Sequence, residues 1–267
     1  MGEPLYRMIA EDLRAKIESG ELPADPGGAL PTEKDLQKSY GASRNTVRDA
    51  IKFLTQLGLI ETRPGQGTFV VEKATPFVTT LTDYPDRSNA KSYVAEVKAD
   101  GRAPTDSEPK VEIQYATGTV AAALGLDTGT QVVGRHQQRS IDGTPWSLQT
   151  TFYPMSLVDK GAIRLIRPAD IEEGAIHYLA QEYDVRQVGY RDTISVRPPE
   201  PDEAWFFKFP PDGRVSVFEI HRVGYDENGH PIRVTITVYP TDRNVFELEV
   251  GRVPRRPKAV TSARDRD

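Results

Sequence analysis

The chain has 267 residues, long for one domain and suited to two. Hydrophobic residues make up 37% and charged residues 27%, as in a soluble globular protein, and no run approaches the ~18 apolar residues of a membrane span. Zero cysteines exclude disulfides, thiolate ligands and cysteine nucleophiles, and charged residues from Glu3 onward speak against a secretory leader, so a cytoplasmic, nucleoid-associated location is expected.

Leu5, Ile9, Leu13 and Ile17 recur every fourth residue and predict a first helix over about Leu5–Ser19, ended by Gly20. The segment Glu21–Ala29, with Pro23, Pro26, Gly27 and Gly28, reads as a loop. Thr32 is a good N-cap, with Asp35 three residues on as a short capping box, and that helix ends near Tyr40-Gly41. Ser43 caps a third helix with an apolar stripe of Val47, Ala50, Ile51, Leu54 and Leu57, closed by Gly58. Leu59–Arg63 and Thr68–Val71 flank Pro64-Gly65-Gln66-Gly67, a glycine-tipped hairpin. Residues 1–72 thus form one compact unit, a winged helix-turn-helix in outline. Residues 73–89 lack periodicity and read as a linker.

From about Ala90 the pattern changes to strands at Val111–Tyr115, Gln131–Ile141, Trp146–Tyr153, Gly189–Val196, Val215–Tyr225 and Pro231–Tyr239. Helices fit Ser92–Asp100, Thr119–Leu124, Pro154–Leu157 and Gly174–Glu182. Asp142-Gly143 and Glu227-Asn228-Gly229 are hairpin turns. The runs ending in FYP at 152–154 and VYP at 238–240 both read strand, turn, strand, so a two-fold pseudo-repeat on an antiparallel sheet is expected. The fold class is therefore α/β (α+β), with a second domain over residues 90–250 and a basic, disordered tail over 251–267. Trp146, Trp205, Phe206 and Phe207 read as core or interface aromatics.

The net charge of −5 does not advertise a nucleic-acid partner, and residues 1–73 hold ten Lys+Arg against eleven Asp+Glu. Charge placement must carry that case. On the third helix Arg44, Arg48 and Lys52 are four apart and opposite the apolar stripe, with Asn45 and Thr46 in the first turn. Arg can grip guanine bidentately, Asn suits adenine, and Thr suits phosphate or the thymine methyl. Lys34 and the Ser43 hydroxyl would lie near phosphates, and the Gln66-Gly67 tip would enter the minor groove. A cationic stripe alone is an ordinary solvated helix face. The capped helices, the turn and the glycine wing at these spacings make double-stranded DNA the expected partner.

The run LPTEKDLQKSYGASRNTVRDAI, followed by GLIETRPGQGTFV, resembles the GntR family of bacterial transcription regulators, nearly without gaps over residues 5–71. The resemblance carries DNA contacts onto Lys34, Arg44, Asn45, Thr46, Arg48, Gln66 and Gly67. Lys34 stands where the family pattern has Arg, which keeps the charge and loses the fork. Residues 92–246 resemble the UTRA effector domain of the HutC-type branch, which shares a fold with chorismate lyase, through SYVAEVKADGRAP, RHQQRSIDGTPWSLQTTFYP, GAIHYLAQEYDV and VFEIHRVGYDENGHPIRVTITVYPTDRNVFE. That resemblance implies a small-molecule effector, with Ser92, Tyr93, Gln137, Arg139, Gln149, His177, Arg233 and Tyr239 as its binding residues. Several depart from the branch's sugar-phosphate sensors. Gln137 replaces an Arg, Gln149 an acid, Ala175 a Ser, His177 a Tyr, Arg233 a Glu and Val234 a Tyr. A sugar phosphate is therefore not the expected effector. Arg233 suits a carboxylate or another acceptor-rich ligand, or is an exposed strand charge.

The four histidines, 136, 177, 221 and 230, show no metal spacing, and His136 and His221 read as structural strand residues. Absence of G-x-S-x-G, P-loop and Rossmann fingerprints leaves no catalytic residue, cofactor or metal expected. The sequence thus predicts a homodimeric repressor that reads a pseudo-palindromic operator and responds to an effector. An effector-independent, plasmid-type repressor and a chorismate-lyase-like enzyme are the alternatives.

Overall fold

The computed structural model describes residues 4–22, 28–71, 76–81, 90–209, 213 and 215–248. The expected tail over 251–267 lies outside them, as do Pro23, Pro26 and Gly27 of the predicted loop.

Three helices open the chain: α1 (Leu5–Glu18), α2 (Glu33–Tyr40) and α3 (Arg44–Gln56). The Thr32 hydroxyl accepts the Asp35 backbone N–H at 3.3 Å and donates to the Asp35 carboxylate at 2.6 Å, so each satisfies the other at the start of α2. Gly41, at φ 58, ends that helix in the left-handed conformation that glycine adopts without a Cβ clash. Ser43 caps α3 by accepting the Thr46 N–H at 3.2 Å. Ile9, Ala10 and Leu13 of α1, Leu36 of α2 and Val47, Ala50 and Leu54 of α3 meet in one buried core. Leu57, expected in that stripe, is 42% exposed. It follows the last helical residue, and the turn at Gly58 (φ 65) hands the core positions to Leu59 and Ile60.

The hairpin of β1 (Ile60–Arg63) and β2 (Gly67–Val70) pairs Ile60 with Val70 and Arg63 with Gly67. Ala29 bridges Phe69 on the open side of β2, and the Leu30 N–H donates to the Thr68 carbonyl at 2.7 Å. The wing is therefore clamped to the residues that lead into α2.

The first element beyond the wing is a strand, β3 (Phe77–Leu81), inside the segment expected to be linker. It runs parallel to the last described strand, β11 (Asn244–Leu248), Phe77 opposite Asn244. Phe77 is buried with Val97, Ile141 and Trp146. Five residues whose partner lies more than 160 positions away leave no local signal, which is why the sequence hid this strand.

Between β3 and β11 lie α4 (Ala90–Ala99), β4 (Pro104–Asp106), β5 (Lys110–Tyr115), α5 (Gly118–Leu124), β6 (Gln131–Ile141), β7 (Thr144–Pro154), α6 (Met155–Asp159), a 3₁₀ turn (Ile163–Ile166), α7 (Ala175–Tyr183), β8 (Gly189–Arg197), α8 (Pro201–Phe206), β9 (Val217–Tyr225) and β10 (Pro231–Pro240). Strands β4, β6, β7, β10, β9 and β8 lie side by side, and β5 also pairs with β6; every pairing is antiparallel. The β6–β7 and β9–β10 hairpins meet along β7 and β10, which gives the expected pair of half-sheets. Asp142 and Gly143 turn the first hairpin, both at positive φ.

Strand alternation gives this sheet two unlike faces. Val132, Phe152 and Val234 point under α5 and pack with Val120, Ala121 and Leu124. The other face carries Arg135, Arg139, Thr151, Arg233 and Thr235, all buried. A buried polar sheet face needs partners for its donors, and that need locates the second site.

The short helix α8 was not expected, although Glu200 and Glu203 form a reciprocal capping box around Pro201 at its first position. It buries Glu203 and leads into the buried Phe207, leaving Trp205, expected in the core or an interface, 82% exposed on its opposite side.

Candidate functional site

Two groups of side chains stand out, one on the outer surface of the helical head and one under the polar sheet face.

On the head, the apolar stripe of α3 points inward, so Arg44, Asn45 and Arg48 point out. Arg44 and Arg48 have side chains 71% and 62% exposed. Glu33, at the first position of α2, bridges them: its carboxylate takes Arg44 Nε at 3.2 Å and lies 3.7 Å from Arg48 Nε. Sequence reasoning did not single out Glu33. Helix capping brings it here, because Thr32 starts α2 against the first turn of α3. The Ser43 hydroxyl serves the cap and also meets the Thr46 hydroxyl at 2.8 Å, so both are occupied within α3. Lys34 is exposed beside Glu33, and Gln66 and Gly67 are exposed at the wing tip. On the wing, Arg63 lies over the Phe69 ring at 4.5 Å and pairs with Glu61 at 2.8 Å. The head thus exposes Lys34, Ser43, Arg44, Asn45, Arg48, Gln66 and Gly67, with Thr46 half-buried among them.

Under the polar sheet face lies a cavity of about 70 Å³. Its floor is Arg135, Gln137 and Arg139 of β6, Gln149, Thr151 and Tyr153 of β7 and Arg233 of β10; its roof is Asp170, Ile171, Gly174, Ala175 and Ile176. Cross-strand register explains the floor: Arg135 pairs with Thr151, and Gln137 with Gln149. Thr151 in turn pairs with Thr235, which sets Arg233 beside Tyr153.

Three arginines meet here, each in a different state. Arg139 donates to Gln149 Oε1 at 2.9 Å and faces the Asp106 carboxylate at 3.4 Å. Burial raises the Asp106 pKa more than Arg139 lowers it. Arg135 gives its guanidinium to four backbone carbonyls, Arg164 (3.4 Å), Leu165 (2.9 Å), Arg167 (2.9 Å) and Ala169 (2.7 Å), so it pins the roof segment to the sheet. Arg233 is 4% exposed; its Nε donates to Gln187 Oε1 at 2.8 Å and its Nη1 to Thr235 Oγ1 at 2.6 Å. Burial lowers the pKa of both Arg135 and Arg233 and raises that of the Tyr153 hydroxyl, which both guanidinium groups pull the other way.

Of the expected effector residues, Gln137, Arg139, Gln149 and Arg233 share this cavity. The reading of Arg233 as an exposed strand charge is corrected by its burial. His177 does not line the cavity; it follows Ala175 and Ile176 on α7 and is exposed. Tyr239 is also outside it, packed on Phe246 at a 5.1 Å ring separation. Six residues of extended strand put it about 20 Å from Arg233. Ser92 and Tyr93 fall on α4, and their side chains lie outside the described residues. Arg135, Thr151 and Tyr153 were missed, although counting by twos from Gln137 and Gln149 reaches them; the roof residues carried no such signal.

His136 meets the Thr150 hydroxyl at 3.0 Å and His221 the Glu219 carboxylate at 2.8 Å. Among the described residues no cluster of His, Asp and Glu has metal-binding geometry, and no helix is long and apolar enough to cross a membrane.

Two family models match the chain. Residues 5–70 match the bacterial regulatory proteins of the gntR family, and residues 100–244 match the UTRA domain. An uncharacterised HTH-type transcriptional regulator of Rhizobium meliloti is 26% identical over 249 residues, covering 93% of this chain and 96% of that one. The mannosyl-D-glycerate transport/metabolism system repressor of Escherichia coli is 32% identical over 157 residues, 58% of this chain and 60% of its own. Among solved structures, a GntR-family transcriptional regulator superposes with a TM-score of 0.69 at 26% identity, covering 94% of this chain and 99% of that one. PhnF from Mycobacterium smegmatis shares the fold, with a TM-score of 0.54 at 22% identity over 91% of this chain and 99% of its own.

Proposed function

Because the chain belongs to the GntR family of bacterial regulatory proteins and carries a UTRA domain, it is a DNA-binding transcription regulator and not an enzyme, and we propose that it is a homodimeric repressor released from its operator by a small effector. Residues 1–72 act as the reading head, the sheet domain over 90–250 as sensor and dimerisation unit, and the segment 73–89 as the connection. Arg44, Asn45, Thr46 and Arg48 read base edges, Lys34 and Ser43 hold phosphates, and Gln66-Gly67 enters the minor groove. The observation that carries this reading is the outward row on α3, with two arginines more than three-fifths exposed beside a glycine wing.

Two copies are required because one short recognition helix contacts few base pairs, and a two-fold operator multiplies the affinity of each head. The effector occupies the cavity under the sheet, where a neutral amide, Gln149, and a buried cation, Arg233, stand in place of the acids that would hold sugar hydroxyls, so the ligand is not a sugar phosphate. Its binding alters operator affinity only insofar as it prefers one arrangement of the heads. β3 supports such coupling: the chain leaving the wing is pinned by Phe77 against Trp146 of β7, the strand that also carries Gln149 and Tyr153. The regulator works in the cytoplasm, on the nucleoid.

Selection of bound DNA from a random pool tests the reading. A pseudo-palindrome with half-sites about one helical turn apart, or a multiple of it, is expected. Enrichment of no sequence would overturn it. Addition of a small-molecule extract should weaken binding to the selected operator; binding that no extract alters would favour the effector-independent alternative.

A further inference from the structure

Arg233 is a buried cation whose surroundings leave it short of acceptors. Its guanidinium Nη2 is fully buried and finds no hydrogen-bond partner among the described residues, and the Gln187 Nε2 next to it is in the same condition. The other arginines nearby are accounted for. Arg222 is held by Asp192 through two bonds of 2.7 and 2.6 Å, and Arg135 by backbone carbonyls. No carboxylate forms an ion pair with Arg233 among the described residues. A buried donor without a partner costs roughly 1–3 kcal/mol and more when charged, so an acceptor bound here would offset that cost.

A second observation lies opposite. Helix α7 opens on Gly174, which has no side chain to cap it, and Gly174, Ala175 and Ile176 all border the cavity that Arg233 borders. The first N–H groups of a helix lack intrahelical partners and carry the positive end of its dipole. The Tyr153 hydroxyl stands on the same floor, one position across the sheet from Arg233.

We propose that Arg233, with the Tyr153 hydroxyl and the uncapped start of α7, forms a subsite for the carboxylate of the effector, so that the effector is a small organic acid. Resting on the reading of this cavity as the effector site, it makes Arg233 the specificity-determining residue. A carboxylate supplies the acceptors these donors lack: one oxygen would take Arg233 Nη2 and the other the hydroxyl or the helix N–H groups. Gln137, Gln149 and Thr151 are neutral and suit a hydroxyl or keto group beyond it. Gly224 belongs to the same device, because a Cβ there would overlap the Gln187 amide that steadies Arg233.

The experiment is calorimetric and thermal-shift titration of the full chain with acetate, pyruvate, malonate and citrate, their neutral amides, and inorganic phosphate. At least one acid is expected to bind and raise the melting temperature, with its amide inert and phosphate weaker. Arg233→Gln should weaken that acid about tenfold or more, and Arg233→Lys, which keeps charge and loses the planar fork, should restore part of the loss. Because wild-type preference for acid over amide stands without any variant, misfolding of Arg233→Gln leaves the test intact. Equal binding of acid and amide, phosphate in preference to every acid, or no binding at all overturns the proposal. Release of the operator by a cell extract alongside any of those results would sink the carboxylate subsite and leave the effector reading standing.

Discussion

The two functional regions solve opposite problems. On the head, charged side chains sit in water, where they lose no solvation and need no partner until DNA arrives. Under the sheet, arginines are buried, each needs acceptors, and Arg233 Nη2 finds none among the described residues. The head's chemistry is therefore set by which side chains point outward, and the cavity's by which donors the fold leaves unsatisfied. A surface site tolerates substitution with little change in stability, whereas a buried polar site couples binding to folding.

The sharpest break in that comparison lies beneath the head. Leu54→Ala removes a fully buried side chain from its core and should cost about 2–5 kcal/mol, read as a lower melting temperature together with lost operator binding. Arg44→Ala or Arg48→Ala should instead cost about 1–3 kcal/mol in operator affinity, with an unchanged melting temperature. Ser43→Ala lies between, because its hydroxyl caps α3: a stability loss of about 0.5–2 kcal/mol in denaturant titration should accompany weaker binding. A variant of Ser43 that binds weakly yet melts normally would show that the hydroxyl serves DNA more than the helix.

Glu33 offers a smaller effect of opposite sign. Its ion pairs with Arg44 and Arg48 are exposed and worth little, roughly 0–1 kcal/mol. Glu33→Gln should leave stability nearly unchanged. It should tighten binding to nonspecific DNA at low salt, since it frees two arginines and removes a negative charge from the face that meets phosphates. The smallest effect is at the roof of the cavity. Glu173 holds Arg164 through bonds of 2.5 and 2.9 Å, which lowers its pKa to about 2. A depressed carboxylate contributes stability that is full above its unfolded pKa near 4.5 and is lost as pH falls toward 2. Wild type should therefore lose more melting temperature than Glu173→Gln between pH 5 and pH 2, and parallel curves would contradict the pairing.

Legibility in the sequence follows the same division. Every device of the head is local: Thr32 with Asp35, Ser43 with Thr46, and glycines at 41, 58 and 65 where the backbone takes positive φ. Such signals are short-range chemistry and can be read from neighbours. The strands of the sheet were legible by alternation, yet the cavity was visible only in part. Gln137, Arg139, Gln149 and Arg233 came through the family resemblance, whereas Arg135 and Tyr153 belong to it by register, and Asp170 and Ile171 by the return of a loop. β3 was hidden because its partner is at the other end of the chain. Tyr239 was placed with the effector residues by the same resemblance, and six residues of extended strand separate it from Arg233.

The central claim is that the outer row of α3 reads DNA despite an acidic chain. Fluorescence anisotropy on a selected operator, comparing wild type with the Arg44→Ala/Arg48→Ala double variant at fixed salt, tests it most directly. The account predicts a rise in Kd of about thirty-fold or more with an unchanged melting temperature. An unchanged Kd would contradict it.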